Sequence, residues 1–266
     1  MKLKNKVALV TGAALGYKEG GPSIGSAIAL KFASEGAKIV AVDLFEDMGQ
    51  KTIDKIVKNG GEGHFVKADV SNTEEVRNVI NLIEKKYQEL HILVNCAASY
   101  EGNIFQNVVD TPEEDWNNVI NVNLNGYFRF SKYAIPLILK SGGGTIVNIS
   151  SNAAFKVLKN FCVYPVTKAA INALTRTLAV DFAPQIRTNS ICPGFVRIAN
   201  SEGNRTTEEI EEWINGISKT YPMKRVCTVD EIGNAALFLA SDDSSYINGQ
   251  SIIIDGGKII SDTHEF

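Results

Sequence analysis

The sequence predicts an α/β fold: one parallel sheet covered by helices on both faces, within a single domain. Three observations lead there. Short Val/Ile/Leu runs alternate with longer stretches of helical apolar spacing, the order of successive βαβ units. Most of those runs are continuously apolar instead of alternating, as strands read when both of their faces are buried. No linker, repeat or low-complexity stretch divides the 266 residues. A chain of that length buries roughly 75% of its unfolded surface, so it needs no disulfide or metal staple.

Val7–Val10 is the first strand, followed by a helix beginning near Ile24. Ile39–Val42 precedes a polar helix over Glu46–Lys58. His64–Ala68 precedes a helix over Thr73–Tyr87, in which Val76, Val79, Ile80 and Ile83 recur on one side. Ile92–Asn95 leads to a helical stretch over Trp116–Leu139, and Thr145–Ser150 to one from Tyr164 to about Phe182. Arg187–Ile191 and Ser251–Ile254 complete seven strands, joined by right-handed crossovers. Between these last two, Ile198–Tyr221 is charged, and Thr207–Trp213 reads as a short helix with an acidic first turn. Ligands of such sheets sit outside the carboxyl ends of the strands. The segment at about 197–222 follows a strand end, so it is expected to cover substrate as a lid; the competing reading is a solvated insertion.

Composition narrows the function. A net charge of −3 with scattered Lys and Arg argues against a nucleic-acid partner, which needs a basic face. Cys96, Cys162, Cys192 and Cys227 are widely spaced and form no CxxC pair, which suits a reducing cytosol. The polar stretch Met1–Lys6 leads straight into a strand, so no signal peptide is expected. No apolar run approaches the roughly 18 residues of a membrane span. His64, His91 and His264 lie far apart and no cluster has metal-ligand spacing, so no metal is expected. No GxSxG elbow appears, which disfavours a hydrolase triad. A cytoplasmic globular enzyme remains.

A dinucleotide fits the first half. After strand one come Thr11-Gly12-Ala13-Ala14-Leu15-Gly16, a polar detour, and then Ser23-Ile24-Gly25 opening a helix. Glycines at a strand-to-helix turn let backbone N–H groups approach a pyrophosphate at the helix N-terminus. Asp43 ends strand two. A carboxylate there can accept both ribose hydroxyls and repels a 2′-phosphate, which favours NAD over NADP; its plainer alternative is a cap on the helix from Glu46. Asp69-Val70 closes strand three and Asn95-Cys96-Ala97-Ala98 closes strand four, where the ligand crevice runs. Asp69 also fits a helix cap, and Asn95 a buried brace between strands.

A reacting centre fits the second half. Tyr164 and Lys168 stand at i and i+4 on one helical face, and of the eight tyrosines only Tyr164 has lysine four residues on. Ser151 ends strand five, thirteen residues before Tyr164. Moving hydride between an alcohol carbon and a cofactor requires a proton to leave or join the oxygen. A tyrosine titrates near pH 10, so a neighbouring cation is needed to favour its phenolate. Lys168 supplies that field and can hold a ribose hydroxyl, Ser151 orients the substrate oxygen, and Asn123 is placed to hold a water relaying protons to Lys168.

Together these residues resemble the short-chain dehydrogenase/reductase superfamily, over Lys6 to Gly257. The matching motifs are Thr11-Gly12…Gly25, Asp69-Val70, Asn95 in NCAA, Asn123 in NVNLNG, Ser151, Tyr164, Lys168, Pro193-Gly194 and Asp255-Gly256-Gly257. The resemblance implies a Rossmann-type, doubly wound, seven-stranded parallel sheet binding NAD(H) or NADP(H), with a Tyr acid/base supported by Ser, Lys and Asn. It implies a cofactor site drawn from Gly12, Ser23, Ile24, Gly25, Asp43, Asp69, Val70, Asn95, Ala97, Tyr164, Lys168, Pro193, Gly194 and Val196. Homodimers or homotetramers through the helices Trp116–Leu139 and Tyr164–Phe182 are implied as well.

The chain also departs from the family pattern. The glycine turn is stretched by Gly16–Pro22, and Ser23 stands where the middle glycine usually falls. This Ser-Ile-Gly arrangement resembles the enoyl-acyl-carrier reductase branch, but that branch spaces its Tyr and Lys farther apart. Ala98 replaces a glycine, and Ile198 replaces a threonine that often bonds the nicotinamide amide. Lys18, in the stretched loop, would favour a 2′-phosphate. Lys156, Lys159, Arg197 and Arg205 lie among aromatics in the specificity segments, which would suit an anionic group on the substrate if they face it instead of water. The leading expectation is an NAD-preferring oxidoreductase interconverting a secondary alcohol and a ketone. C=C reduction, and a catalytically silent dinucleotide-binding sensor or scaffold, are the alternatives.

Overall fold

The computed structural model describes residues 1–16, 21–198 and 205–261. Seven parallel strands form one sheet in the order β3-β2-β1-β4-β5-β6-β7. They are β1 (Val7–Thr11), β2 (Lys38–Asp43), β3 (Glu62–Lys67), β4 (Ile92–Asn95), β5 (Gly144–Ile149), β6 (Ile186–Pro193) and β7 (Ser251–Ile254). The helices are α1 (Ile24–Ser34), α2 (Glu46–Lys58), α3 (Thr73–Tyr87), α4 (Glu113–Ile120), α5 (Gly126–Lys140), α6 (Val163–Asp181), α7 (Thr207–Lys219) and α8 (Val229–Ala240). The order makes this a doubly wound Rossmann-type sheet. Its winding reverses between β1 and β4, where the crevice for a ligand opens.

Side-chain alternation along β1 divides the core in two. Ala8 and Val10 pack with Ile28, Phe32, Ile232 and Leu237 of α1 and α8. Val7 and Leu9 pack with Val76, Ile83 and Phe130 of α3 and α5 on the opposite face. Helix starts are fixed by side chains. Asn72 accepts from the Glu74 and Glu75 N–H groups at 3.0 and 3.4 Å to begin α3. Ser23 and Ser26 form a reciprocal box at the start of α1.

Three elements differ from expectation. The stretch read as Trp116–Leu139 starts earlier, at Glu113, and carries a π-helical turn over Asn121–Asn125 joining α4 to α5. Arg129 satisfies that turn by donating to the Asn121 carbonyl at 3.1 Å and to its Oδ1 at 2.6 Å. Helix α7 runs six residues beyond Trp213, because Ile214 and Ser218 continue its buried side. Helix α8 was not anticipated. Its signal is the Thr228-x-x-Glu231 box, where Thr228 accepts from the Glu231 N–H and Arg225 grips the Glu231 carboxylate at 2.6 and 2.9 Å. That grip holds the Glu231 carboxyl at about 2.

Candidate active site

The turn after β1 is built by exclusion. Gly12 has φ +65°, and a Cβ there would meet Ala97 Cα at 2.8 Å. A Cβ on Gly25 would overlap the Gly12 carbonyl, so α1 begins directly against the turn. Ser23 caps α1 by accepting from the Ser26 N–H at 3.0 Å, and donates its own hydroxyl to the Ala14 carbonyl at 2.7 Å. The serine in a glycine's place thus ties Ala14 to the start of α1. Ile24 and Gly25 follow in the first helical turn, whose N–H groups lack intrahelical acceptors. Lys18 lies outside the described residues.

Asp43 does not cap α2, whose N-cap is Phe45 without a side-chain bond. Its Oδ2 accepts from the Ala14 N–H at 2.9 Å, tying the end of β2 to the glycine turn. Burial lifts its carboxyl above the usual range, while the N–H groups of Ala14, Phe45 and Leu44 oppose that rise. Two threonines complete this corner: Thr11 of the turn motif, and Thr52, which sequence reasoning missed. The Thr52 hydroxyl donates to the Ala13 carbonyl at 2.8 Å, and Thr11 Oγ1 accepts from the Cys96 and Ala97 N–H groups at 3.0 and 3.2 Å.

Asp69 likewise is no helix cap: Asn72 holds that position, and Asp69 Oδ1 accepts from the Ser71 N–H at 2.7 Å. Val70 is buried beneath Gly126, where a Cβ would meet its Cγ2 at 2.8 Å. Asn95 is a fully buried brace. Its Nδ2 donates to Asn148 Oδ1 at 2.9 Å, and Asn148 in turn donates to Thr175 Oγ1 at 2.9 Å, linking β4 through β5 to α6. Asn95 Oδ1 is buried without a partner.

Ser151, Tyr164 and Lys168 converge where β5 ends and α6 begins. Lys168 is buried on α6, and its Nζ donates to the Ile149 carbonyl at 2.9 Å. The Tyr127 hydroxyl donates to that same carbonyl at 2.9 Å. The Lys168 ammonium stands 5.4 Å from the ring centres of both Tyr127 and Tyr164. Burial pulls its pKa down to about 8. Burial pushes the Tyr164 phenol well above 10, and the Ser151 hydroxyl, a hydrogen-bonding neighbour, acts in the opposite direction. Asn123, in the π-turn, is bound both ways to Ser99: its Oδ1 accepts from the Ser99 N–H at 2.7 Å and its Nδ2 donates to the Ser99 carbonyl at 3.1 Å.

The sequence places Ala98–Gln106 and Asn152–Val163, with Phe161, among the specificity segments, but does not show the stacking of their aromatics on Tyr164. Tyr100 stacks on its ring at 5.1 Å and donates its hydroxyl to Tyr164 Oη at 3.0 Å. Phe161 stacks at 5.1 Å as well, and Phe105 stacks on Phe161 at 4.8 Å. Neither spacing nor composition signals these contacts, because the loop after β4 meets α6 only in the folded chain.

At the end of β6, Pro193 is buried and the Gly194 N–H donates to the Ile254 carbonyl at 2.9 Å. Val196 is buried and bridges Cys227. Helix α7 docks here through Ile210 and Ile214, which pack with Val226, and Trp213 is edge-on to Phe195 at 5.0 Å. Of the four cations in the specificity segments, Arg197 pairs with Glu211 at 2.9 Å, Arg205 lies over Trp213 at 4.6 Å, and Lys156 donates to the Ser261 carbonyl at 3.5 Å. Residues 199–204 of the expected lid lie outside the described residues. Among the described residues no helix is long and apolar enough to cross a membrane, and no His/Cys/Asp/Glu group is arranged to hold a metal.

The family described as enoyl-(acyl carrier protein) reductase matches residues 21–258. An uncharacterized oxidoreductase of Thermotoga maritima is 38% identical over 263 residues, covering 97% of this chain and 99% of the relative. The chain belongs to the short-chain dehydrogenase/reductase superfamily. The 3-oxoacyl-(acyl-carrier-protein) reductase FabG of T. maritima is 35% identical, covering 98% of this chain and all of the relative. The ligand-free aldohexose dehydrogenase of Thermoplasma acidophilum superposes with a TM-score of 0.85 at 32% identity, covering 98% and 96% of the two chains.

Short-chain dehydrogenases/reductases are oxidoreductases that use NAD(P). The turn of this member fits such a group: Gly12 and Gly25 let the turn pack backbone to backbone against Ala97 and against itself, which sets the free N–H groups at the start of α1 beside the end of β1.

Proposed function

We propose that this short-chain dehydrogenase/reductase interconverts a secondary alcohol and a ketone and prefers NAD, with Tyr164 as the acid/base. The observation that carries the reading is the placement of the Lys168 ammonium 5.4 Å from the Tyr164 ring, beside the Ser151 hydroxyl. In oxidation, Ser151 and Tyr164 hold the substrate oxygen between them, and Tyr164 Oη accepts its proton. Lys168 favours the phenolate electrostatically. With a pKa of about 8, it can itself exchange a proton near neutral pH. Asn123, bound to Ser99, positions the loop over this cluster and is the group assigned to hold the relay water.

When bound, the nicotinamide supplies the hydride acceptor or donor. Gly12, Ser23, Ile24 and Gly25 would hold the pyrophosphate, Asp43 the adenosine ribose, Asp69 and Val70 the adenine side, and Lys168 with Tyr164 the second ribose. Asn95, Ala97, Pro193, Gly194 and Val196 would line the remaining length. The lid reading rests on α7, docked against Phe195 just beyond β6. Exposed Phe128 on α5 and Val166 and Val180 on α6 support a homo-oligomer through those helices, and the site as a whole a small-molecule substrate. The charge balance and cysteine usage support a cytoplasmic setting without a nucleic-acid partner.

Ser23-Ile24-Gly25 favours C=C reduction as the second reading. Absorbance of NADH and NADPH, followed with secondary alcohols, ketones and an enoyl thioester, separates the two. Tyr164→Phe is expected to lower kcat at least about 100-fold while NADH affinity stays nearly unchanged. Turnover of the enoyl thioester alone, or an equal kcat in the variant, would reject the proposal.

A further inference from the structure

Tyr164 is only 8% exposed, and its hydroxyl and one face of its ring are covered by the protein itself. Tyr100 donates to Tyr164 Oη at 3.0 Å, with its ring stacked 5.1 Å from that of Tyr164 at an angle of 28°. The residue has two faces: 55% of it is exposed, while its hydroxyl end sits where desolvation raises the phenol's pKa. Its backbone neighbours are pinned on both sides. Ser99 is bound twice to Asn123, and the Asn103 N–H donates to Asp115 Oδ2 at 2.8 Å, with Gly102 at φ +82° between them. The Tyr100 side chain can therefore leave by rotating about its own two χ bonds toward solvent, without moving the loop. What it leaves behind is the Tyr164 ring, which keeps its stack with Phe161 and, through it, Phe105.

We propose that Tyr100 is a specificity-determining residue: it occupies the substrate position with a six-membered ring bearing a hydroxyl, and the substrate that displaces it is a molecule of that shape. The inference rests on Tyr164 being the acid/base of this site. A ligand that takes the place of the Tyr100 ring forfeits its hydrogen bond and its stack on Tyr164. A flat or alicyclic six-membered ring with a hydroxyl or oxo group restores both, because it offers one oxygen to Tyr164 and one face to an aromatic ring. An open-chain alcohol of equal carbon number restores only the hydrogen bond.

The test uses p-cresol, which is the tyrosine side chain as a free molecule, and 2-hexanol as the open-chain probe. Binding is measured by calorimetry on the full-length wild type, Tyr100→Ala, Tyr100→Phe and the double variant Tyr100→Ala/Tyr164→Phe. Tyr100→Ala is expected to bind p-cresol at least about tenfold more tightly than wild type, and more tightly than 2-hexanol. The double variant is expected to lose about fivefold of that gain, the worth of one neutral hydrogen bond. Tyr100→Phe, which keeps the stack, is expected to lower KM for a cyclic alcohol about fivefold with kcat within twofold. Equal p-cresol binding by wild type and Tyr100→Ala would overturn the proposal, as would a raised KM in Tyr100→Phe, which would make Tyr100 a substrate-holding donor. If p-cresol discriminates as expected but no variant turns over any alcohol, the assignment of the reaction fails and the self-occupancy stands. If alcohols turn over but p-cresol does not discriminate, the self-occupancy alone fails.

Discussion

Asp43 Oδ2 accepts a hydrogen bond from the Ala14 N–H at 2.9 Å, so the acid that ends β2 is also a support of the glycine turn. Substituting it by alanine would confuse loss of charge with loss of that support.

Asp43→Asn separates the two, because the amide oxygen still accepts from Ala14. NAD affinity is expected to fall about tenfold, as a charge-assisted bond to ribose becomes a neutral one. NADP, whose 2′-phosphate the carboxylate repels, is expected to gain relative to NAD. Fluorescence titrations with NADH and NADPH measure both, and an unchanged ratio would reduce Asp43 to its structural part.

Burial of Lys168 makes stability depend on alkaline pH in a defined direction. Its folded pKa, about 8, lies below the ordinary 10.5, so between those values the unfolded chain binds more protons and folding strengthens as pH rises. The penalty, about 3 kcal/mol, is full below pH 8 and relieved by about 10.5. Lys168→Met, which leaves the Ile149 carbonyl its bond from Tyr127, should match or exceed wild-type stability at pH 7 and lose that advantage above pH 8. Paired denaturant titrations across that range check it; a pH-independent difference would show that burial does not perturb this lysine.

Gly25→Ala places a methyl group against the Gly12 carbonyl. Overpacking there is expected to cost about 1–3 kcal/mol, because backbone and not a side chain must yield. NADH affinity should fall at least tenfold, since the shifted helix end carries the N–H groups meant for the pyrophosphate. Wild-type NADH binding in this variant would remove the turn from the cofactor site.

The α7 start is the handle on the lid. Thr206 caps it reciprocally with Glu209, and Thr206→Ala should weaken the first turn by about 1 kcal/mol. If α7 covers substrate, KM for the alcohol rises several-fold while NADH affinity is unchanged. An unaltered KM would make α7 a surface insertion.

The sheet was legible because parallel strands must be apolar on both faces, and β1, β2 and β4 write that plainly. Ser151, Tyr164 and Lys168 were legible because their spacing along one strand end and one helix already places them together. Helix α8 was not, since it is buried on several sides and its periodicity fades into a run of apolar residues from Ala235 to Ala240. Tyr100 and Asn148 were not legible for a different reason. Their partners lie 64 and 27 to 53 residues away, so only the closed fold brings the groups into contact. Asp43 and Asp69 each allowed a capping role in the sequence, and the observed caps are Phe45 and Asn72.

The acceptor shared by Lys168 and Tyr127 belongs to the main chain of Ile149. No single replacement at position 149 can delete it, since every amino acid carries the same peptide oxygen. Neutral drift can exchange Ile149 for another buried apolar residue and leave the lysine's anchorage intact. Inactivation by point mutation must instead come through the donors, so tolerance at 149 alongside intolerance at 127 and 168 is the pattern that a saturation library of this enzyme would display.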